Sequence, residues 1–106
     1  TAIEYLDSYS PKDDLTPAMK FGALGDAHAE LKDLEKASDM YEKAANASKN
    51  EVIAPYYLNK LGLLQYKQGN LDAALATMDK ILNSYPKSTT SSDAEKLKAR
   101  IEAEKL

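Results

Sequence analysis

Phe21-Gly22-Ala23-Leu24-Gly25-Asp26-Ala27-His28 is the stretch on which the reading of this chain turns. Phe21, Leu24, His28 and then Leu31 follow one another in steps of three and four. That spacing puts them on one face of an α-helix, with polar residues on the other. After a short turn at Lys32-Asp33, a second segment carries Leu34, Ala37, Tyr41 and Ala44 at the same spacing. Two amphipathic helices joined by so short a turn pack antiparallel.

Moving outward, the pattern comes again. Leu58-Asn59-Lys60-Leu61-Gly62-Leu63-Leu64-Gln65 has the same order of large and small residues. Gly69-Asn70 supplies a turn, because both residues tolerate a left-handed backbone. A further helix with Leu71, Ala74, Met78, Ile81 and Leu82 follows and closes at Tyr85-Pro86. Beyond the Ser88–Asp93 loop, Ala94, Leu97 and Ile101 mark a last helix with a Lys/Glu-rich flank. Upstream, Ile3, Tyr5, Leu6 and Tyr9 read as a helix that stops before Ser10-Pro11, since proline disfavours a helical residue before it. Thr16-Pro17 is a start signal: a capping hydroxyl, then proline at the first helical position.

The two copies resemble the tetratricopeptide repeat (TPR), a helical hairpin that stacks on copies of itself. The motif residues are Phe21, Leu24, Gly25, Ala37 and Tyr41 in one copy, and Leu58, Leu61, Gly62, Ala74, Met78 and Pro86 in the other. Gly25 and Gly62 lie 37 positions apart, against a family period of about 34. The extra residues fall in Asn46–Asn50. His28 and Gln65 stand where the family pattern has an aromatic, and Lys49 where it has proline. Glycine and alanine at these places permit close approach of a neighbouring helix. One hairpin cannot bury its apolar face alone, so hairpins stack.

The resemblance implies an all-α solenoid coiled as a right-handed superhelix. It divides the chain into a tail helix of a preceding repeat (1–11), a first repeat (17–50), a second repeat (51–88) and a capping helix (89–106). It also implies a non-catalytic module that binds a protein or peptide partner in a concave groove. Groove positions, by the family pattern, are Met19, Gly22, Asp26, Ala29 and Glu30 in the first copy. In the second they are Tyr56, Asn59, Leu63, Tyr66 and Lys67. The alternative is a self-assembly element of a larger protein. A narrower resemblance is to TPR regions of membrane-anchored envelope proteins in Gram-negative bacteria. It rests on Gly25-Asp26-Ala27, Leu34-Glu35-Lys36-Ala37 and Tyr85-Pro86-Lys87-Ser88, and implies the periplasmic side of the envelope. A start at Thr1, inside a helical pattern, fits a piece of a longer protein.

Composition narrows the functional classes. The chain has 106 residues, a net charge of −3 and no cysteine. Disulfides, thiolate metal sites and a cysteine nucleophile are excluded. No basic stripe is present for a nucleic-acid backbone or an anionic membrane surface. His28, the one histidine, has no second histidine or cysteine with which to hold a metal. Asp26 and Glu30 share a helix face but lack the further oxygens that calcium requires. Gly22 and Gly25 sit within a helix, not in a phosphate-binding turn. The expectation is no catalytic residue, no metal and no cofactor. Gly22 and Asp26 also stand where carboxylate-clamp TPRs place lysine and asparagine, so that mode is not expected. An acidic end at Asp26–Glu30 and an aromatic end at Tyr56–Tyr66 call for a ligand with apolar side chains and a basic residue.

Overall fold

The computed structural model describes residues 17–48 and 50–106, and these form five α-helices with no strand. They are α1 (Pro17–Glu30), α2 (Leu34–Asn46), α3 (Ile53–Lys67), α4 (Leu71–Ser84) and α5 (Ser91–Glu104). The tail helix expected at 1–11 and the Thr16 cap lie outside the described residues.

The two tight turns are built alike. After α1, Lys32 takes a left-handed backbone with φ of 61°. Its N–H donates to the Ala29 carbonyl and that of Asp33 donates to His28. After α3, Gly69 has φ of 79°, its N–H donates to Tyr66, and that of Asn70 donates to Gln65. Both are Schellman ends, which satisfy carbonyls that a helix terminus otherwise leaves unpaired. The next residue then caps the following helix. The Asp33 carboxylate accepts from the Lys36 N–H, and the Asn70 side chain accepts from that of Ala73. The turn also holds a departure from expectation. Leu31, read as part of the buried face, is 69% exposed. It lies one residue past the end of α1, although its N–H still reaches the Ala27 carbonyl at 3.2 Å.

α3 starts differently. Asn50 Oδ1 accepts from the N–H groups of Val52 at 2.7 Å and Ile53 at 3.0 Å. Pro55, in the first turn, costs no helical hydrogen bond there. α4 ends at Ser84, and the Tyr85 N–H closes onto the Ile81 carbonyl at 2.8 Å.

Each helix packs on the next in chain order, and α3 also touches α5. This neighbour-by-neighbour stacking is how a helical solenoid is held. One apolar cluster centres on Leu58, Met78, Ile81, Ala94, Leu97 and Ile101. A second gathers Ala37, Tyr41, Leu61 and Leu64. The half-buried Tyr57 packs against both. Met78, Ile81 and Ile101 have no exposed surface, and each contributes about 1.5–3 kcal/mol by burial.

The helix glycines act as sockets. Glycine inside a helix costs about 1 kcal/mol relative to alanine. A Cβ at Gly25 would stand 2.6 Å from Tyr41 Cε1. One at Gly62 would overlap the Met78 methyl group, and one at Gly22 would overlap the Tyr57 ring. Gly25 and Gly62 therefore admit a side chain of the paired helix in their own hairpin. Gly22 admits one from the following hairpin.

α5 repeats the α3 spacing, with Ala94, Leu97 and Ile101 buried where α3 buries Leu58 and Leu61 and half-buries Gln65. The glycine place holds Lys98, whose ammonium reaches Asp79 of α4 at 2.7 Å. The outer face of α5 is charged and exposed.

Candidate functional site

Along α3, Tyr56, Lys60, Leu63 and Lys67 follow at steps of four, three and four. They form one stripe on that helix. Across the valley stands α1, with Met19, Asp26 and Ala29. Met19 is 42% exposed, Tyr56 46% and Leu63 40%.

A polar cluster joins the two walls at mid-length. Asp26 Oδ1 accepts from the Tyr41 hydroxyl at 2.5 Å and from Lys60 Nζ at 2.9 Å. The Lys60 ammonium stands 5.1 Å from the Tyr56 ring centre and 5.7 Å from that of Tyr41, close enough for cation–π attraction. Burial works against the Lys60 charge, but hydrogen bonds to Asp26 and Tyr56 outweigh it and hold its pKa above the ordinary lysine value. Burial, then the hydrogen bond to Asp26, pushes the Tyr41 hydroxyl well above the ordinary tyrosine range. Burial also raises Tyr57, with Tyr56 adding to it. Asp26 is thus engaged by a cation, and the acidic end expected at Asp26–Glu30 reduces to the exposed Glu30.

Two depressions flank this cluster. One, of about 380 Å³, is lined by Met19, Val52, Ile53, Tyr56, Tyr57, Thr89 and Thr90. Its two tyrosine rings meet edge to face, 5.0 Å between centres. The other, of about 200 Å³, is lined by Ala29, Tyr41, Lys60, Leu63, Leu64 and Lys67. Both have mostly apolar walls with ammonium or hydroxyl groups at the edge.

Met19 and Asp26 of α1 and Tyr56, Leu63 and Lys67 of α3 therefore border the two depressions or the cluster between them, whereas the exposed Glu30 and the half-buried Asn59 line neither depression. Gly22, expected in the groove, is buried beneath Tyr57. Tyr66 turns away: its ring packs on the core, its hydroxyl donates to Glu104 Oε1 at 2.8 Å, and the Arg100 guanidinium lies over it. The bond to Glu104 raises the Tyr66 pKa. Tyr66 lies about 80° around the helix from Tyr56 at 100° per residue, which aims it at α5. Sequence reading missed Lys60 and Tyr57. Lys60 was legible as the residue one turn beyond Tyr56. Tyr57 carried no local signal, because its socket, Gly22, belongs to the preceding hairpin. His28 is half-buried, and no group of three or more His, Asp or Glu suited to a metal occurs among the described residues.

Helical hairpins stacked in chain order define a helical-repeat solenoid. Residues 21–51 and 58–88 each match a tetratricopeptide-repeat family model, and together the matches span more than half of the chain. The chain belongs to the tetratricopeptide-repeat family. A comparison with curated proteins found no match. TPR repeats generally mediate protein–protein interaction and are typically non-catalytic.

Proposed function

We propose that this chain is a non-catalytic TPR module that binds a protein segment in the valley between α1 and α3, the concave groove of the family. Its extent is read as one domain, with repeats at 17–50 and 51–88 and a cap at 89–106. The observation that carries the reading is the exposure of Met19 and Tyr56 on one side of the tethered Lys60–Asp26 pair and of Leu63 on the other. Exposed aromatic and aliphatic anchors set in a rigid frame are what interface hot spots are made of. Helices already formed leave most of the ordering cost to the ligand. Lys60 replaces Tyr66 in the contact set, and Asn59 offers an amide to a ligand backbone. The narrower resemblance directs the first search for a partner to bacterial envelope proteins.

The test is selection of a displayed random-peptide library on the parent chain, followed by affinity measurement of the enriched peptides. Tyr56→Ala and Leu63→Ala, each shown by circular dichroism to be folded, are compared with Lys80→Ala on the exposed side of α4. Loss of binding in the first two alone is the expected outcome. Peptides that bind all three variants as they bind the parent would place recognition elsewhere. Sedimentation across a concentration series addresses self-assembly: a binding module stays monomeric without its ligand.

A further inference from the structure

We infer that the occupant of this valley is an amphipathic helix of a partner protein, presenting two apolar side chains seven residues apart and one carboxylate. The inference rests on the groove reading above and adds the chemistry of the ligand. Tyr56 and Leu63 border the two depressions and are separated by seven residues of α3, about 10.5 Å at 1.5 Å per residue. A helix laid along the valley matches that distance with anchors at the same spacing, which return to nearly the same face. A β-strand does not: residues on one face recur at about 6.6 and 13.2 Å, on either side of the required length, while a polyproline II segment comes nearer at about 9.3 Å and is the alternative that a proline-interrupted peptide tests.

Charge sets the rest of the register. Lys67 lines the second depression four residues past Leu63, is exposed, and makes no ion pair among the described residues. A carboxylate on the partner, one turn from its Leu63-side anchor, meets that ammonium. An acid is favoured in the first turn of its own helix, so the partner runs antiparallel to α3. The order is acid at position j, apolar residues at j+4 and j+11. Between the anchors the partner crosses the Lys60–Asp26 pair, whose charges already satisfy each other at 2.9 Å. A small residue belongs there.

The probe is an alanine-based helical peptide with Glu, Leu and Phe at j, j+4 and j+11, titrated against the chain by fluorescence anisotropy. Moving Phe to j+9, off the face, weakens binding by about tenfold, as does Leu63→Ala on the protein. Replacing the peptide Glu by Lys weakens it about threefold, and Lys67→Glu restores it, the signature of an exposed ion pair. Indifference to the anchor spacing, or to the paired charge reversal, overturns the proposal. So does a proline-interrupted peptide of the same composition that binds as well, or sedimentation showing a second copy of the chain held through Tyr56 and Leu63. The groove reading is tested separately: display-selected peptides that need Tyr56 and Leu63 but lack the helical spacing leave it standing while the helix falls.

Discussion

Lys32 and Gly69 occupy the same place in their hairpins, each at the left-handed step that ends the first helix. Gly69 adopts that step without a Cβ penalty, whereas Lys32 carries one. Lys32→Gly is therefore expected to stabilise the chain by about 0.5–1 kcal/mol, and Gly69→Ala to destabilise it by about 1 kcal/mol, in urea unfolding. The glycine sockets make a second expectation at this scale. The atom facing Gly62 is the terminal methyl of the Met78 side chain, which has no exposed surface. Gly62→Leu should cost about 1–3 kcal/mol or more by overpacking. An unchanged melting temperature would mean that α3 and α4 can part without loss.

Between elements, the Asp26–Tyr41–Lys60 cluster ties α1, α2 and α3 together. Tyr41 and Lys60 both hold their protons more tightly in the fold than ordinary residues do. Such groups contribute fully below their unfolded values, near pH 10. The contribution is lost as pH rises through the folded ones. Stability should therefore be level through neutral pH and fall above about pH 10. Tyr41→Phe should lower the neutral plateau by about 1.5–3 kcal/mol, one lost hydrogen bond to a carboxylate, and flatten the alkaline decline. Denaturant titrations at several pH values would show both, and an alkaline slope untouched by Tyr41→Phe would remove this cluster from the account.

Over the whole molecule, stability is a sum of hairpins and the interfaces between them. Among the described residues, Tyr57 is the side chain that touches both apolar clusters and fills the Gly22 socket. Its removal weakens the joint between α1–α2 and α3–α5 more than it weakens either part. Tyr57→Ala should turn one unfolding transition into two. Hydrogen exchange should then rise first in α1 and α2, while Met78, Ile81 and Ile101 keep α4 and α5 protected. A single cooperative transition in that variant would show that α2 on α3 suffices to couple the repeats.

Most helix bounds and both tight turns were legible in the sequence because they follow from neighbours a few residues apart. The three-and-four spacing orients Leu24, Tyr41, Leu61 and Met78, and Gly69-Asn70 announces its own turn. Leu31 shows the limit of that reading, since at the end of the helix the same spacing leaves the side chain exposed. The paired motif also carried the family, as the two model matches confirm. The candidate site was only partly legible. Tyr56 and Tyr57 are adjacent and chemically identical, yet one is half-exposed and the other is seated on Gly22. Tyr66 was equally suited to the groove until α5 offered it Glu104 and Arg100. Asp26 read as a ligand-facing acid until Lys60 was brought beside it. Local periodicity alone determined which residues form helices and which face each buries. Which tyrosine fills a socket and which charge finds a counter-ion were decided by the stacking of one hairpin on the next. Those partners are far apart in the chain, and only the packed solenoid brings them within contact distance.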